Sequence, residues 1–192
     1  AVDTKTETTI LQNLRQTRAG KTTILIAHRI STIEKMDKIL FIDDGSVVAV
    51  DGMAYLFTAK SGTGKSTHTR LWREVFGSRA VMVNDDKPII RFIDGKFYVY
   101  GTPWNGKHHL DTNCRAEIKA ICKIEQAKEN SIEKASTQEM LLTVFNQTIR
   151  PEDYGQMEVL LNILDKLLTT VDLYKLGCNI SIDAAKLSYN TM

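Results

Sequence analysis

Short apolar, β-branched runs alternate along this chain with stretches whose apolar residues recur at helical spacing, the pattern of an α/β protein. Ile10, Leu11 and Leu14 predict a helix over 4–17 that stops at Gly20. The unbroken run TTILIA predicts a buried strand over 22–27, integral to a sheet because its backbone groups need partners. A short helix over 31–35 and a strand over 38–42 follow. Asp43-Asp44-Gly45 reads as a hairpin turn into a strand at 46–50.

Further strands are predicted at 53–57, 80–83, 88–93, 96–100, 118–124 and 173–178. Asp94-Gly95 between the third and fourth of these is a strong hairpin signal. Helices are predicted over 66–76, 137–149 and 156–171, with Pro151 between the last two, and a terminal helix starts at Ser181 or Asp183. The stretch 123–134 is rich in charge and reads as a solvated connection.

One stretch organises the rest. The strand pattern 53–57 runs into Thr58-Ala59-Lys60-Ser61-Gly62-Thr63-Gly64-Lys65-Ser66-Thr67, and a helix pattern follows at once. Strand, glycine-bearing loop and helix are the context of a phosphate-binding loop. Ala59 stands where the usual first glycine would be. Residues 59–67 are therefore the candidate nucleotide site: backbone N–H groups and the helix N-terminus face the phosphates, Lys65 reaches the β/γ-phosphates and Ser66 ligates Mg²⁺. A chance Gly/Ser turn is the competing reading, and the agreement of motif and flanks speaks against it. ATP and Mg²⁺ are the expected ligands.

A second candidate is the strand end Asn84-Asp85-Asp86, about twenty residues further on, which can lie beside the loop in a parallel sheet. Asp85 is then a metal ligand and Asp86 a proton acceptor for an attacking hydroxyl; the alternative is a turn cap before Lys87-Pro88. His108-His109 and Trp104 occupy a polar loop over 101–110 and read as solvent-facing. Trp72 and Phe76 read as core, and Arg150 as an interhelix-turn residue.

Bulk properties narrow the class. The chain has 192 residues, 43% hydrophobic and 25% charged, with net charge +2, which suits a single compact domain without a polybasic nucleic-acid footprint. No apolar run approaches a membrane span, and the polar N-terminus is no signal peptide. Three cysteines without C-x-x-C spacing read as ordinary thiols in a reducing cytoplasm. The absence of an initial methionine reads as a fragment or an engineered piece.

Two resemblances follow from particular residues. Ala1-Val2-Asp3-Thr4-Lys5-Thr6-Glu7, Gly20-Lys21-Thr22-Thr23, Ile26-Ala27-His28-Arg29-Ile30-Ser31-Thr32-Ile33 and Asp43-Asp44-Gly45 resemble the C-terminal part of an exporter-type ABC transporter ATPase domain over residues 1–52. The resemblance makes Asp3 a D-loop aspartate and His28 a switch histidine. That family's own phosphate loop, signature motif and Walker B carboxylates belong upstream and are missing, so His28 is expected to be a leftover at a strand end. From 52 onward, Gly52, Ala54-Tyr55-Leu56-Phe57, the phosphate loop, Leu71-Trp72, Asn84-Asp85-Asp86, Gly101-Thr102-Pro103-Trp104 and Leu173-Tyr174-Lys175-Leu176-Gly177-Cys178 resemble HPr-kinase-like P-loop proteins. Where HPr kinase has a histidine ahead of its loop, this chain has Asp44, which argues against protein phosphorylation of that kind.

The joint expectation is an α/β, P-loop-type mixed sheet with flanking helices, built from an ABC-like segment (1–52) and an HPr-kinase-like segment (53–192). An engineered chimera, a natural recombinant and a fused gene fragment would all read alike. The function implied is Mg-ATP binding with phosphoryl transfer to an acceptor that is a small molecule, peptide or protein. The alternatives are an ABC-type ATPase piece needing a partner chain, and a chimera that binds nucleotide without an evolved substrate.

Overall fold

The computed structural model describes residues 13, 39–106 and 109–192. Of the helix expected over 4–17 it describes Asn13 alone, which is helical; Asp3, His28, the strand over 22–27 and the helix over 31–35 lie outside the described residues. The chain divides into two compact units, residues 1–37 and 38–192, and the second has the following architecture.

Among the described residues, nine strands form one mixed sheet: β1 (Ile39–Phe41), β2 (Gly45–Val50), β3 (Met53–Thr58), β4 (Ala80–Asn84), β5 (Ile89–Ile93), β6 (Lys96–Tyr100), β7 (Arg115–Gln126), β8 (Ser131–Lys134) and β9 (Asp172–Cys178). Helices α1 (Lys65–Phe76), α2 (Thr137–Asn146), α3 (Tyr154–Thr170) and α4 (Ile182–Thr191) flank it. The order is β1-β5-β6-β7-β3-β2-β4. The long β7 pairs antiparallel with β6 near its start and parallel with β9 further on, and β8 closes that edge against β9.

Alternation along the strands explains the layers. Val47, Ala49, Ala54 and Leu56 point to a core shared with Met140 and Val144 of α2 and with Leu160, Leu164 and Leu167 of α3. Their neighbours Val48, Val50, Tyr55 and Phe57 point to a second core with Leu71 and Trp72 of α1 and Ala184 and Ala185 of α4. A sheet buried on both faces needs apolar residues at successive positions, and β2 and β3 have them. No helix among the described residues is long and apolar enough to cross a membrane. The three cysteines are free thiols, with Cys122 and Cys178 buried.

The pairing departs from the readings of 43–45 and 123–134 and adds a hairpin that the sequence reading does not name. Asp43-Asp44-Gly45 is not a hairpin: β1 pairs with β5, and the chain then runs along residues 86–88, with Ile42 N–H donating to Pro88 O and Gly45 N–H to Asp86 O. The hairpin lies instead at Asp51-Gly52, both at positive φ, which connects β2 and β3 through six paired positions. The expected boundary between the two family-like segments, 52/53, lies at this hairpin. Finally, 131–134 is an edge strand and not a solvated connection; its Glu133 and Lys134 are exposed, as an edge tolerates.

Trp72 anchors the second core, in ring contact with Tyr55, Phe57, His68, Phe76 and Tyr189. Its Nε1 lies 3.0 Å from both His68 Nε2 and Ser188 Oγ, and His68 Nε2 lies 3.1 Å from the same hydroxyl. His68 is 2% exposed, and burial lowers its pKa from 6.5 to about 4. Above pH 6.5 the native and unfolded states are both neutral there. Between 6.5 and about 4 the unfolded chain takes up a proton that the native state refuses, so stability falls as pH drops through that window. Denaturant titrations at pH 7 and pH 4 should show the protein losing about 3 kcal/mol more than His68→Gln; equal losses contradict this role of His68.

Candidate functional site

The site begins where β3 ends. Residues 59–64 connect it to α1, with Gly62 at φ +80° and Gly64 at φ +116°. A Cβ at either glycine would meet open space, so backbone conformation and not crowding requires them. Thr63 closes the turn on Lys60 O through its N–H (3.2 Å) and its hydroxyl (2.7 Å). Gly64 caps α1 without any side-chain hydrogen bond, and the first turn holds no acidic residue. The first-turn N–H donors and the positive end of the helix are thus left for an anion. Phosphate fits this loop.

Lys65 is the buried charge of the site, 6% exposed. Its Nζ lies 2.7 Å from Asp44 Oδ1 and donates to Ala59 O (3.0 Å) and Lys60 O (3.3 Å). Gln147, just beyond α2, braces both sides of this arrangement. Its Nε2 donates to Ala59 O at 2.6 Å, and its main-chain carbonyl accepts from Asp43 N–H at 2.5 Å. Asp44 stands at φ +73°, in the left-handed region.

Asp85 and Asp86 reach the same edge by a different route from the one expected. β4 does not lie beside β3; β2 runs between them, antiparallel to both, with Gly45 opposite Thr58 and Val47 opposite Asn84. Two strands antiparallel to a common neighbour point the same way, so the ends of β3 and β4 flank the start of β2. Asp44 therefore stands between the phosphate loop and the carboxylate pair.

The turn cap at 84–87 belongs to Asn84. This fully buried side chain accepts from the N–H groups of Asp86 (2.9 Å) and Lys87 (2.6 Å) and donates to Thr102 O and Trp104 O. Asp85 is 5% exposed and accepts from Gly106 N–H at 2.8 Å, which ties the 101–112 loop to the site. Asp86 is half-buried; burial raises its carboxyl above the usual range, Lys87 opposes the rise, and Asp44, Asp43 and Asp85 add to it. Lys87 itself pairs with Asp43 at 2.5 Å. No group of three metal-ligating side chains forms among the described residues. Mg²⁺ is commonly held by one or two carboxylates together with phosphate oxygens and water; Ser66 and Asp85 are the hydroxyl and carboxylate expected to serve it.

Two clefts flank the loop. One of about 760 Å³ extends from residues 60–63 toward Lys123, Gln126, Leu142 and Asn146. The other, about 420 Å³, lies between Gly64, Thr67, Leu71, Gln126 and Ile180. Ser61 and Lys60 are exposed, while Ser66 and Thr67 are half-buried. Of the smaller candidates, His109 bonds Asn105, Arg150 lies over the Phe145 ring, and His108 is outside the described residues.

The sequence patterns point to the loop and the carboxylate pair; they name Asn84 only as the first residue of that strand end, set Asp44 only where HPr kinase has its histidine, and give Gln147 no part in the site. Asn84 has a local signal, an Asn directly before two acidic residues at a strand end. The pairing of Asp44 with Lys65 and the bonds of Gln147 have no local signal, because the partners are distant in sequence.

No family model matches the chain. A protein described as "probable multidrug resistance ABC transporter ATP-binding/permease protein YheI" from Bacillus subtilis is 41% identical over 70 residues, 36% of this chain and 12% of that protein. An ATP-dependent lipid A-core flippase from Vibrio vulnificus is 56% identical over 48 residues, 25% of this chain and 8% of that protein. The chain thus spans about a tenth of the length of the curated relatives it matches. The Hpr(Ser) kinase/phosphatase structure from Coxiella burnetii aligns over 79% of this chain and 95% of that one, with 10% identity and a TM-score of 0.43; at that score the likeness decides nothing about the site.

Replacing Asn84 by Ala should leave the buried N–H groups of Asp86 and Lys87 unpaired and lower stability by about 2–4 kcal/mol in denaturant titration. A change below about 0.5 kcal/mol would show that the turn holds without it.

Proposed function

We propose that this chain binds Mg-ATP on residues 59–67 and transfers a phosphoryl group to a hydroxyl-bearing acceptor. The observation that carries the reading is the conjunction at one sheet edge of an uncapped glycine loop, a buried lysine ammonium and a pair of aspartates. The backbone N–H groups of Gly62, Gly64, Lys65 and Ser66 hold phosphate oxygens, and the Lys65 ammonium holds the β/γ end. Ser66 and Asp85 hold the metal. Mg-ATP supplies the phosphoryl group together with neutralisation of its charge. Asp86, its carboxyl raised by burial, accepts the proton of the attacking hydroxyl, and the two clefts give room for nucleoside and acceptor.

A second reading is an ATPase piece of ABC type that completes its site with another chain, favoured by the partial matches to ABC transporter proteins. ATP turnover rising more than linearly with protein concentration would support it over phosphoryl transfer by the isolated chain. Nucleotide binding without any turnover would leave a chimera that has a working loop and no evolved substrate.

Calorimetry should show Lys65→Ala binding Mg-ATP about 1.5–3 kcal/mol more weakly than the parent; equal affinities contradict the loop's role. Asp86→Asn should leave affinity nearly intact and lower transfer by about 10²–10⁴-fold. If Asp85→Asn and Asp86→Asn both leave affinity and turnover unchanged, the pair has no part in the chemistry.

A further inference from the structure

We propose that Asp44 is a latch on Lys65, which a nucleotide polyphosphate must open in order to bind; the inference rests on the nucleotide reading of the loop. An ammonium has three hydrogens to donate. Among the described residues Lys65 meets three acceptors: Asp44 Oδ1 at 2.7 Å, Ala59 O at 3.0 Å and Lys60 O at 3.3 Å. These use all three hydrogens, so one acceptor has to leave before Lys65 can serve a phosphate oxygen.

The three acceptors are not equivalent. The two carbonyls belong to the loop itself, and Ala59 O is held by a further hydrogen bond from Gln147 Nε2. Moving either would distort the loop that binds the phosphates. Asp44 is a side chain, one third exposed, on a segment outside any strand. It is also the charged acceptor of the three, and an incoming polyphosphate repels it at close range. Asp44 is therefore the group that yields.

The surroundings give the carboxylate a reason to hold and a reason to go. Before ligand arrives, Lys65 is nearly buried, and a buried ammonium without a counter-charge is strongly disfavoured. Asp44 removes that cost. Asp43, Asp85 and Asp86 crowd the same edge, with Lys87 and Lys65 opposite them. Once phosphate takes over the ammonium, Asp44 loses the cation that held it there. The latch keeps the lysine ordered without ligand and exacts a penalty from any anion too weakly charged to displace a carboxylate.

The test is Asp44→Asn, since Asn tolerates the left-handed backbone at φ +73° and removes the charge at nearly constant size. Two readouts should move in opposite directions. The ligand-free variant should melt about 2–6 °C below the parent, because Lys65 loses its counter-charge. Its calorimetric Kd for Mg-ATP should be about tenfold or more tighter, because no anion competes for Lys65. A variant that melts lower and binds no tighter, or more weakly, makes Asp44 a structural partner and overturns the latch while leaving the nucleotide reading intact. Equal melting and equal affinity overturn it as well. If neither protein binds Mg-ATP, the nucleotide reading fails and the latch with it; binding by the variant but not by the parent supports both.

Discussion

A lysine ammonium cannot be taken out of water unless something replaces the water, and Lys65 is nearly buried at the start of a helix. Most of what surrounds it follows from that requirement. Two carbonyls of the loop turn inward to accept from it, Gln147 holds one of them in place, and Asp44 supplies the balancing charge. The same arrangement makes the loop ready for anions, since a charged group held in a fixed position spends little entropy when a ligand arrives.

The position of β2 decides which groups meet there. Running antiparallel to both β3 and β4, it brings the phosphate loop and the Asp85-Asp86 pair to one edge while keeping them a strand apart. The residues at its start fill the gap. Asp44 touches Lys65 on one side, and Gly45 N–H holds Asp86 O on the other. Gly45 itself is required by close approach, because a Cβ there would sit 2.8 Å from Ile42. Beneath them, Asn84 joins the turn to the 101–112 loop through hydrogen bonds from both ends of its amide.

Features governed by neighbours along the chain are legible in the amino-acid sequence alone. The glycine loop between β3 and α1, the Asp94-Gly95 hairpin and helices α1 to α4 are all short-range patterns, and each lies where its signal places it within a few residues. Features set by distant pairing are not legible in that way. Asp43-Asp44-Gly45 has the composition of a hairpin turn, yet β1 finds its partner in β5, some fifty residues on. Asp51-Gly52 does turn a hairpin, although the two family resemblances meet at that same place in the sequence. β8 hides in a charged stretch because an edge strand with little buried surface needs few apolar residues. The part played by Asp44 is hidden for the same reason: it exists only through Lys65, brought near by the β2–β3 pairing.

The uncapped glycine loop at the start of α1 raises one chemical expectation, a polyphosphate bound there. A crystal structure of this chain with a non-hydrolysable ATP analogue and Mg²⁺ tests that most directly. Phosphate oxygens are expected within hydrogen-bonding distance of the N–H groups of Gly62, Gly64, Lys65 and Ser66 and of Lys65 Nζ, with the metal on Ser66 and Asp44 withdrawn from the ammonium. Phosphates bound elsewhere, or bound at the loop with the Asp44–Lys65 pair still closed, would contradict it.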